Sequence, residues 1–205
     1  IYVVDVSNPS VSLPTGISNQ PFGNSQLFAV TVDAESNYAY AANAANQGLL
    51  VFDVTNKASP VYVSKTPSYV AAGVTLRDNY VYVTNYTTGF LNVYDITTRT
   101  APVLVGSVGG MTNPCAVTLD PTRMVAYVSG YSTANIWSID ITNTVSTVLL
   151  DQVTPAGNNL NNFNSMGFIG DVMYALSDNG FATMISIINP ANLCIVCSYD
   201  TGYGT

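Results

Sequence analysis

The 205-residue chain contains no histidine, one glutamate (Glu35) and only five lysines and arginines. Without histidine, a Ser-His-Asp triad, a histidine base and a histidine metal ligand are all excluded. Five scattered cations cannot neutralise many phosphates, so nucleic-acid binding through a basic patch is excluded as well. Charged residues make up 8% of the chain, against about 25% in ordinary soluble domains. Twelve acids leave a net charge of -7. No apolar run approaches the ~18 residues of a transmembrane helix. Ile1 stands where a primary translation product has Met, and no signal-peptide pattern is visible, so a mature, trimmed or partial chain is expected. What is present argues for a folded core: 48% hydrophobic residues, with 14 Tyr and 7 Phe, a composition that disordered chains lack.

Cysteine is scarce and odd in number: Cys115, Cys194 and Cys197. Buried structural thiols are expected. One disulfide with a thiol left over, or a metal or redox role for the Cys194–Cys197 pair, are the alternatives. The pair lies in a strand-like run, where residues three apart point to opposite faces, and no second pair completes a zinc site.

The dominant feature is a repeat. Two apolar residues, Asp, an apolar residue and Ser or Thr recur as Val3-Val4-Asp5-Val6-Ser7, Val51-Phe52-Asp53-Val54-Thr55 and Val93-Tyr94-Asp95-Ile96-Thr97. The series continues as Ile139-Asp140-Ile141-Thr142, then as a degenerate copy around Ser186, at spacings of 48, 42, 45 and 46 residues. An apolar-Tyr pair keeps the same phase at Tyr40, Tyr82, Tyr127 and Tyr174. Each unit reads as four short runs rich in Val, Tyr and Thr, bounded by Gly, Asn, Asp and Pro, which is the signal of strands and hairpins. Periods of about 40–50 residues carrying four strands indicate propeller blades. The expected fold is an all-β propeller with four-stranded antiparallel blades, about four and a half repeats in one domain. A partial blade is placed at 1–25, and blades at approximately 26–70, 71–114, 115–164 and 165–205.

Gly48-Leu-Leu-Val-Phe-Asp-Val-Thr-Asn-Lys-Ala-Ser-Pro60 and Ile1-Tyr-Val-Val-Asp-Val-Ser-Asn-Pro9 resemble the LVIVD repeat. Val81-Tyr-Val-Thr-Asn85 contains the YVTN string of a related propeller repeat, and Asn113 to Pro121 resembles the start of one. The resemblance implies a propeller fold and a cell-surface setting like that of similar bacterial and archaeal proteins. It implies no activity.

The half unit at residues 1–16 carries the outer strands of a blade without the inner pair. Its apolar edge, Ile1 to Val6, has no Lys, Pro or charge other than Asp5. Such an edge invites strand addition, so a partner strand from further chain or a neighbouring subunit is expected, and with it self-association or a filament.

Asp5, Asp53, Asp95 and Asp140 recur once per repeat and are read as structural, locking the turn that follows. Asp33, Asp78, Asp120 and Asp171 also keep phase and are read as turn formers. No paired carboxylates stand in a glycosidase context, no Gly-x-Ser-x-Gly elbow exists, and no phosphate-binding loop is present. No catalytic residue, cofactor or metal is therefore assigned, and the chain is expected not to be an enzyme. Asn85-Tyr86-Thr87 is the one sequon, in a loop expected to be exposed, where Asn85 would carry an N-glycan in a secreted protein. The loops Asn43–Gly48, Tyr86–Gly89 and Tyr131–Asn135, with the blade connections, should emerge on one face rich in amides, hydroxyls and aromatics. Trp137 is read as blade core. The composition points to an extracellular, cell-surface or virion-surface protein with a structural or interaction role. The alternative is a carbohydrate-binding or carbohydrate-active propeller using that polar face.

Overall fold

A computed structural model of the chain describes residues 2–5, 13–17, 26–155, 163–178 and 180–200. The fold is all-β: eighteen strands and, among the described residues, no helix. The strands are β1 (Tyr2–Asp5), β2 (Leu13–Ile17), β3 (Leu27–Asp33), β4 (Tyr38–Asn43), β5 (Gly48–Asp53), β6 (Val61–Lys65), β7 (Ala71–Arg77), β8 (Tyr80–Asn85) and β9 (Phe90–Asp95). They continue with β10 (Val103–Val108), β11 (Pro114–Leu119), β12 (Val125–Gly130), β13 (Ile136–Asp140), β14 (Val148–Val153), β15 (Phe163–Ile169), β16 (Val172–Ser177), β17 (Phe181–Ser186) and β18 (Cys194–Asp200). Consecutive strands pair antiparallel into four four-stranded sheets, β3–β6, β7–β10, β11–β14 and β15–β18, which are propeller blades 1 to 4. β1 and β2 form a separate two-stranded sheet.

Short hairpins and Val- and Tyr-rich runs make these strands, and sheet packing makes the propeller. The first strands of successive blades lie against each other, β3 on β7, β7 on β11 and β11 on β15, so they form the inner wall. The apolar alternation of the second and third strands then supplies the layers between blades. Tyr40, Leu49 and Val51 of blade 1 pack against Val81 and Val83 of blade 2. Tyr82, Leu91 and Val93 of blade 2 meet Ala126, Val128 and Trp137 of blade 3. Tyr127 and Ile136 of blade 3 meet Met173, Ala175 and Ile185 of blade 4. The in-phase tyrosines at 40, 82 and 127 are all fully buried and all face the next blade. A fully buried large apolar side chain of this kind contributes roughly 1.5–3 kcal/mol. Trp137 is fully buried as well, its indole N–H donating to Gln152 Oε1 at 2.7 Å.

Every blade repeats the same irregularities. The first strand carries a bulge against the second, and the fourth carries one against the third. Bulges bend a strand and increase its twist, as blades ringed about an axis require. The blades come so close at the inner wall that Gly73 of β7 leaves no space for a side chain: a Cβ there would stand 2.2 Å from the Cys115 carbonyl oxygen of β11.

One bulge corrects the reading of the cysteines. Cys194 lies opposite Ser186 and Cys197 opposite Met184. Ser186 and Met184 are two apart on β17 and share a face, so the extra residue in β18 brings both cysteines onto that same face. Neither is buried, because β18 is the outermost strand of blade 4; both are exposed, and all three cysteines are free thiols.

Candidate functional site

The two ends of the propeller differ in chemistry. At one end the chain leaves each second strand and enters each first strand, and one backbone hydrogen bond closes each of blades 1 to 3. Ala44 N–H donates to Gln26 O (2.8 Å), Tyr86 N–H to Val70 O (3.0 Å) and Tyr131 N–H to Asn113 O (2.8 Å). The predicted loop face is therefore real, and the loops Asn43–Gly48, Tyr86–Gly89 and Tyr131–Asn135 share it. A pocket of about 310 Å³ opens there across the ends of β3, β7 and β11. Its walls come from equivalent positions in three blades: Gln26, Phe28 and Ala44; Val70, Ala72 and Tyr86; Cys115 and Tyr131. The Tyr86 and Tyr131 rings stand edge-to-face at 6.1 Å, and Phe28 is 63% exposed at the rim. No charged side chain lines the pocket. Burial, together with the negative charge of Asp178, pushes the Cys115 thiol above its usual range, which leaves it protonated and a poor nucleophile. The pocket can stack flat or apolar groups and exchange hydrogen bonds, but it has no group poised for acid–base work at neutral pH. Tyr86 and Tyr131 were in the sequence-predicted loops. Phe28 and Cys115 were missed, and the signal was available: residues 28, 72 and 115 hold the same place in the repeat.

The opposite end gathers most of the charge. There Asp53, Asp95 and Asp140 accept from the backbone N–H of Thr55, Thr97 and Thr142 at 2.8, 2.7 and 2.8 Å. The Thr55 N–H and hydroxyl hold the Asp53 carboxyl below its ordinary value. The Thr97 and Thr142 hydroxyls and N–H groups do the same for Asp95 and Asp140. These are local turn bonds at the surface. The side chain of Asp5 lies outside the described residues. Asp33 and Asp120 are buried. Burial raises both carboxyls, but hydrogen bonds and an arginine outweigh it and leave both below the ordinary range. Asp33 accepts from the Glu35 and Ser36 N–H groups, both at 3.2 Å. Asp120 accepts from Thr122 N–H at 2.8 Å and from Arg123 N–H at 2.9 Å. Asp78 instead occupies a left-handed turn position, φ 54°.

All three arginines cross a blade boundary at this end, which the sequence did not reveal. Arg99 of blade 2 places Nε 2.9 Å from Asp33 Oδ2 of blade 1 and donates to Ser36 Oγ. Arg77 of blade 2 donates to the Asp120 and Arg123 carbonyls of blade 3. Arg123 of blade 3 pairs with its own Asp120 at 3.0 Å and with Asp171 of blade 4. A cavity of about 420 Å³ beside Asp33, Glu35, Asp78 and Arg99 lies at the boundary of blades 1 and 2. Among the described residues no three Cys, Asp or Glu side chains are grouped to hold a metal ion.

The expected glycan acceptor sits at a strand end. Asn85 is the last residue of β8, only 8% exposed, and its Oδ1 accepts from Thr88 N–H at 3.3 Å. Asn43 does the same in blade 1, accepting from Ala45 N–H at 2.8 Å.

Comparison with known proteins agrees with this architecture. The LVIVD repeat model matches residues 1–14, 29–66 and 70–109. No match is found among curated proteins. Among solved structures, a protein from Lactobacillus plantarum overlays with a TM-score of 0.74 at 13% identity, over 84% of this chain and 57% of its own. The periplasmic gluconolactonase of Pseudomonas aeruginosa overlays at 0.73 and 10% identity, over 88% of this chain and 56% of its own. The Swd1 β-propeller domain of Myceliophteria thermophila gives 0.69 at 14% identity, over 89% and 61%. This chain thus spans less than two-thirds of the length of each. At such identities the likeness concerns the fold: the chain is a β-propeller repeat protein, and its matched segments are similar to the LVIVD repeat.

Proposed function

We propose that this propeller is a non-enzymatic interaction protein of an extracellular, cell or virion surface, and that it engages its partner at the loop end. The observation that carries this reading is the pocket across three blades, with Tyr86, Tyr131 and Phe28 at its mouth and no charged residue in its wall. Such a surface binds by stacking and hydrogen bonding, and tolerates salt. The test is turnover of a panel of lactones, esters and glycosides. The expected result is no rate above buffer. Specific turnover abolished by one Asp or Glu substitution overturns the reading.

The edge-to-face tyrosines favour one second reading, a neutral saccharide as the bound group, because aromatic faces beside hydroxyls suit the two sides of a sugar ring. On an array of neutral glycans, binding lost in Tyr131→Ala at an unchanged melting temperature supports it. No binding to any glycan removes it and leaves a protein partner.

A further inference from the structure

The bulge in the fourth strand falls at the same place in every blade and sets three side chains on one face of the outer hairpin. One is a third-strand residue, one is the fourth-strand residue opposite it, and one lies three positions earlier in the fourth strand. In blade 4 these are Met184, Cys197 and Cys194. In blade 1 they are Val51, Ser64 and Val61, and in blade 2 Val93, Gly106 and Val103. In blade 3 they are Ser138, Asp151 and Val148. Three blades thus fold with no sulfur at any of these positions, and blade 4 has sulfur at all of them. The repeat itself does not call for it.

Met184 Sδ lies 3.7 Å from Cys197 Sγ. Two sulfurs bonded to one ion at ~2.3 Å each stand about 3.8–4.0 Å apart at tetrahedral to trigonal angles, so this pair is already spaced as ligands. Cys194 lies opposite Ser186, two residues along β17 from Met184, which sets it about 7 Å along the strand from Cys197. That is the far limit of the Cα spacing of a disulfide, about 6.8 Å, but the two side chains can turn toward one ion between them. Both thiols are free and exposed, and Met184 is half-buried. The surrounding charge has one sign: no lysine or arginine follows Arg123, and Asp171, Asp178 and Asp200 are the charged residues from Phe163 to Asp200.

We propose that Met184, Cys194 and Cys197 form a three-sulfur site for Cu(I). Thiolate and thioether are soft donors, the set that selects Cu(I). Zn(II) takes four ligands from thiolate, imidazole and carboxylate, and a thioether is not among them. Each thiol gives its proton to water on binding, and the ion ties β17 to β18. The site shares no residue with the loop-end pocket and does not rest on the reading of that pocket.

The test is anaerobic titration of the reduced 205-residue chain with Cu(I), in competition with the chelator bathocuproine disulfonate. One Cu(I) per chain should be retained, with a shell of sulfur alone by X-ray absorption. Cys194→Ser, Cys197→Ser and the volume-conserving Met184→Leu should each lower retention at least about tenfold, no less than loss of an outer-shell partner does. In the wild type, which needs no variant to fold, Cu(I) should shield Cys194 and Cys197 together from iodoacetamide and leave the reactivity of Cys115 as it was. The proposal is overturned if the chelator strips the ion completely, if any of the three variants retains Cu(I) as the wild type does, or if Zn(II) displaces it.

Discussion

The loop end and the arginine end are built from the same four hairpins, yet they solve different problems. At the loop end, backbone hydrogen bonds such as Tyr86 N–H to Val70 O tie off each blade by itself, and side chains are left over to line a pocket. At the other end the turns are also tied within each blade, but Arg77, Arg99 and Arg123 reach across to the neighbour. The three arginines are thus used where they join blades, and the end without them is left to bind. A chain with 8% charged residues can divide its ends in this way because the interblade layers are apolar and leave charge nothing to do in the middle.

The sharpest way to break the comparison is to push the inner wall apart near the loop end. Gly73→Val drives a side chain into the Cys115 backbone and should cost about 3 kcal/mol in urea unfolding. Gly167→Val, on the open face of blade 4 with nothing within 4 Å, should change stability by less than about 0.5 kcal/mol. Next comes Arg123→Ala, which strips a cation from the buried Asp120 and from Asp171. It should cost about 1–2 kcal/mol, part of which is already lost in the wild type at about 1 M salt.

Titration probes the arginine end from both sides of neutrality. Asp33, Asp53, Asp95, Asp120 and Asp140 are held below their ordinary values when folded. Their stabilisation is full above the unfolded carboxylate value of about 4 and is lost as pH falls below it through the folded values. Burial pushes the Tyr40 and Tyr82 hydroxyls up to about 12. Their contribution is full below the unfolded value of about 10 and disappears as pH rises toward 12. Melting temperature should therefore be flat between about pH 5 and 9 and fall on both sides. Arg99→Ala, which uncovers Asp33, should move the acid limb upward.

The smallest effect is expected at the repeat aspartates. Asp95→Ala removes one surface turn bond to Thr97 and should cost about 0.5–1 kcal/mol, as for a single exposed hydrogen bond. Binding at the opposite end should be unchanged. Loss of binding without a change in melting temperature would show that the turn belongs to a site.

Strands and blades were legible because each marker occurs once per repeat: Asp53, Asp95 and Asp140 mark where third strands end, and Tyr40, Tyr82 and Tyr127 mark the second strands. Side-chain placement was less legible where a single residue shifts the phase. Cys194 and Cys197 were expected on opposite faces, and the bulge in β18 puts them on one. Asn85 reads as a glycan acceptor in three letters, and only the structure shows its Oδ1 accepting from Thr88 N–H in a turn. The pocket required three blades to be aligned before Phe28, Ala72 and Cys115 could be seen as neighbours.

By itself the sequence determined the all-β class, the repeat length, the four-strand unit and the uncharged loops, since these follow from local alternation, turn chemistry and composition. Tertiary structure alone decided which residues meet across blades: the arginine bridges to Asp33 and Asp171, the close approach at Gly73, and the Tyr86–Tyr131 pocket. These contacts join residues 40 or more positions apart. Their geometry depends on how bulges twist each sheet onto the next, a property that no single repeat contains.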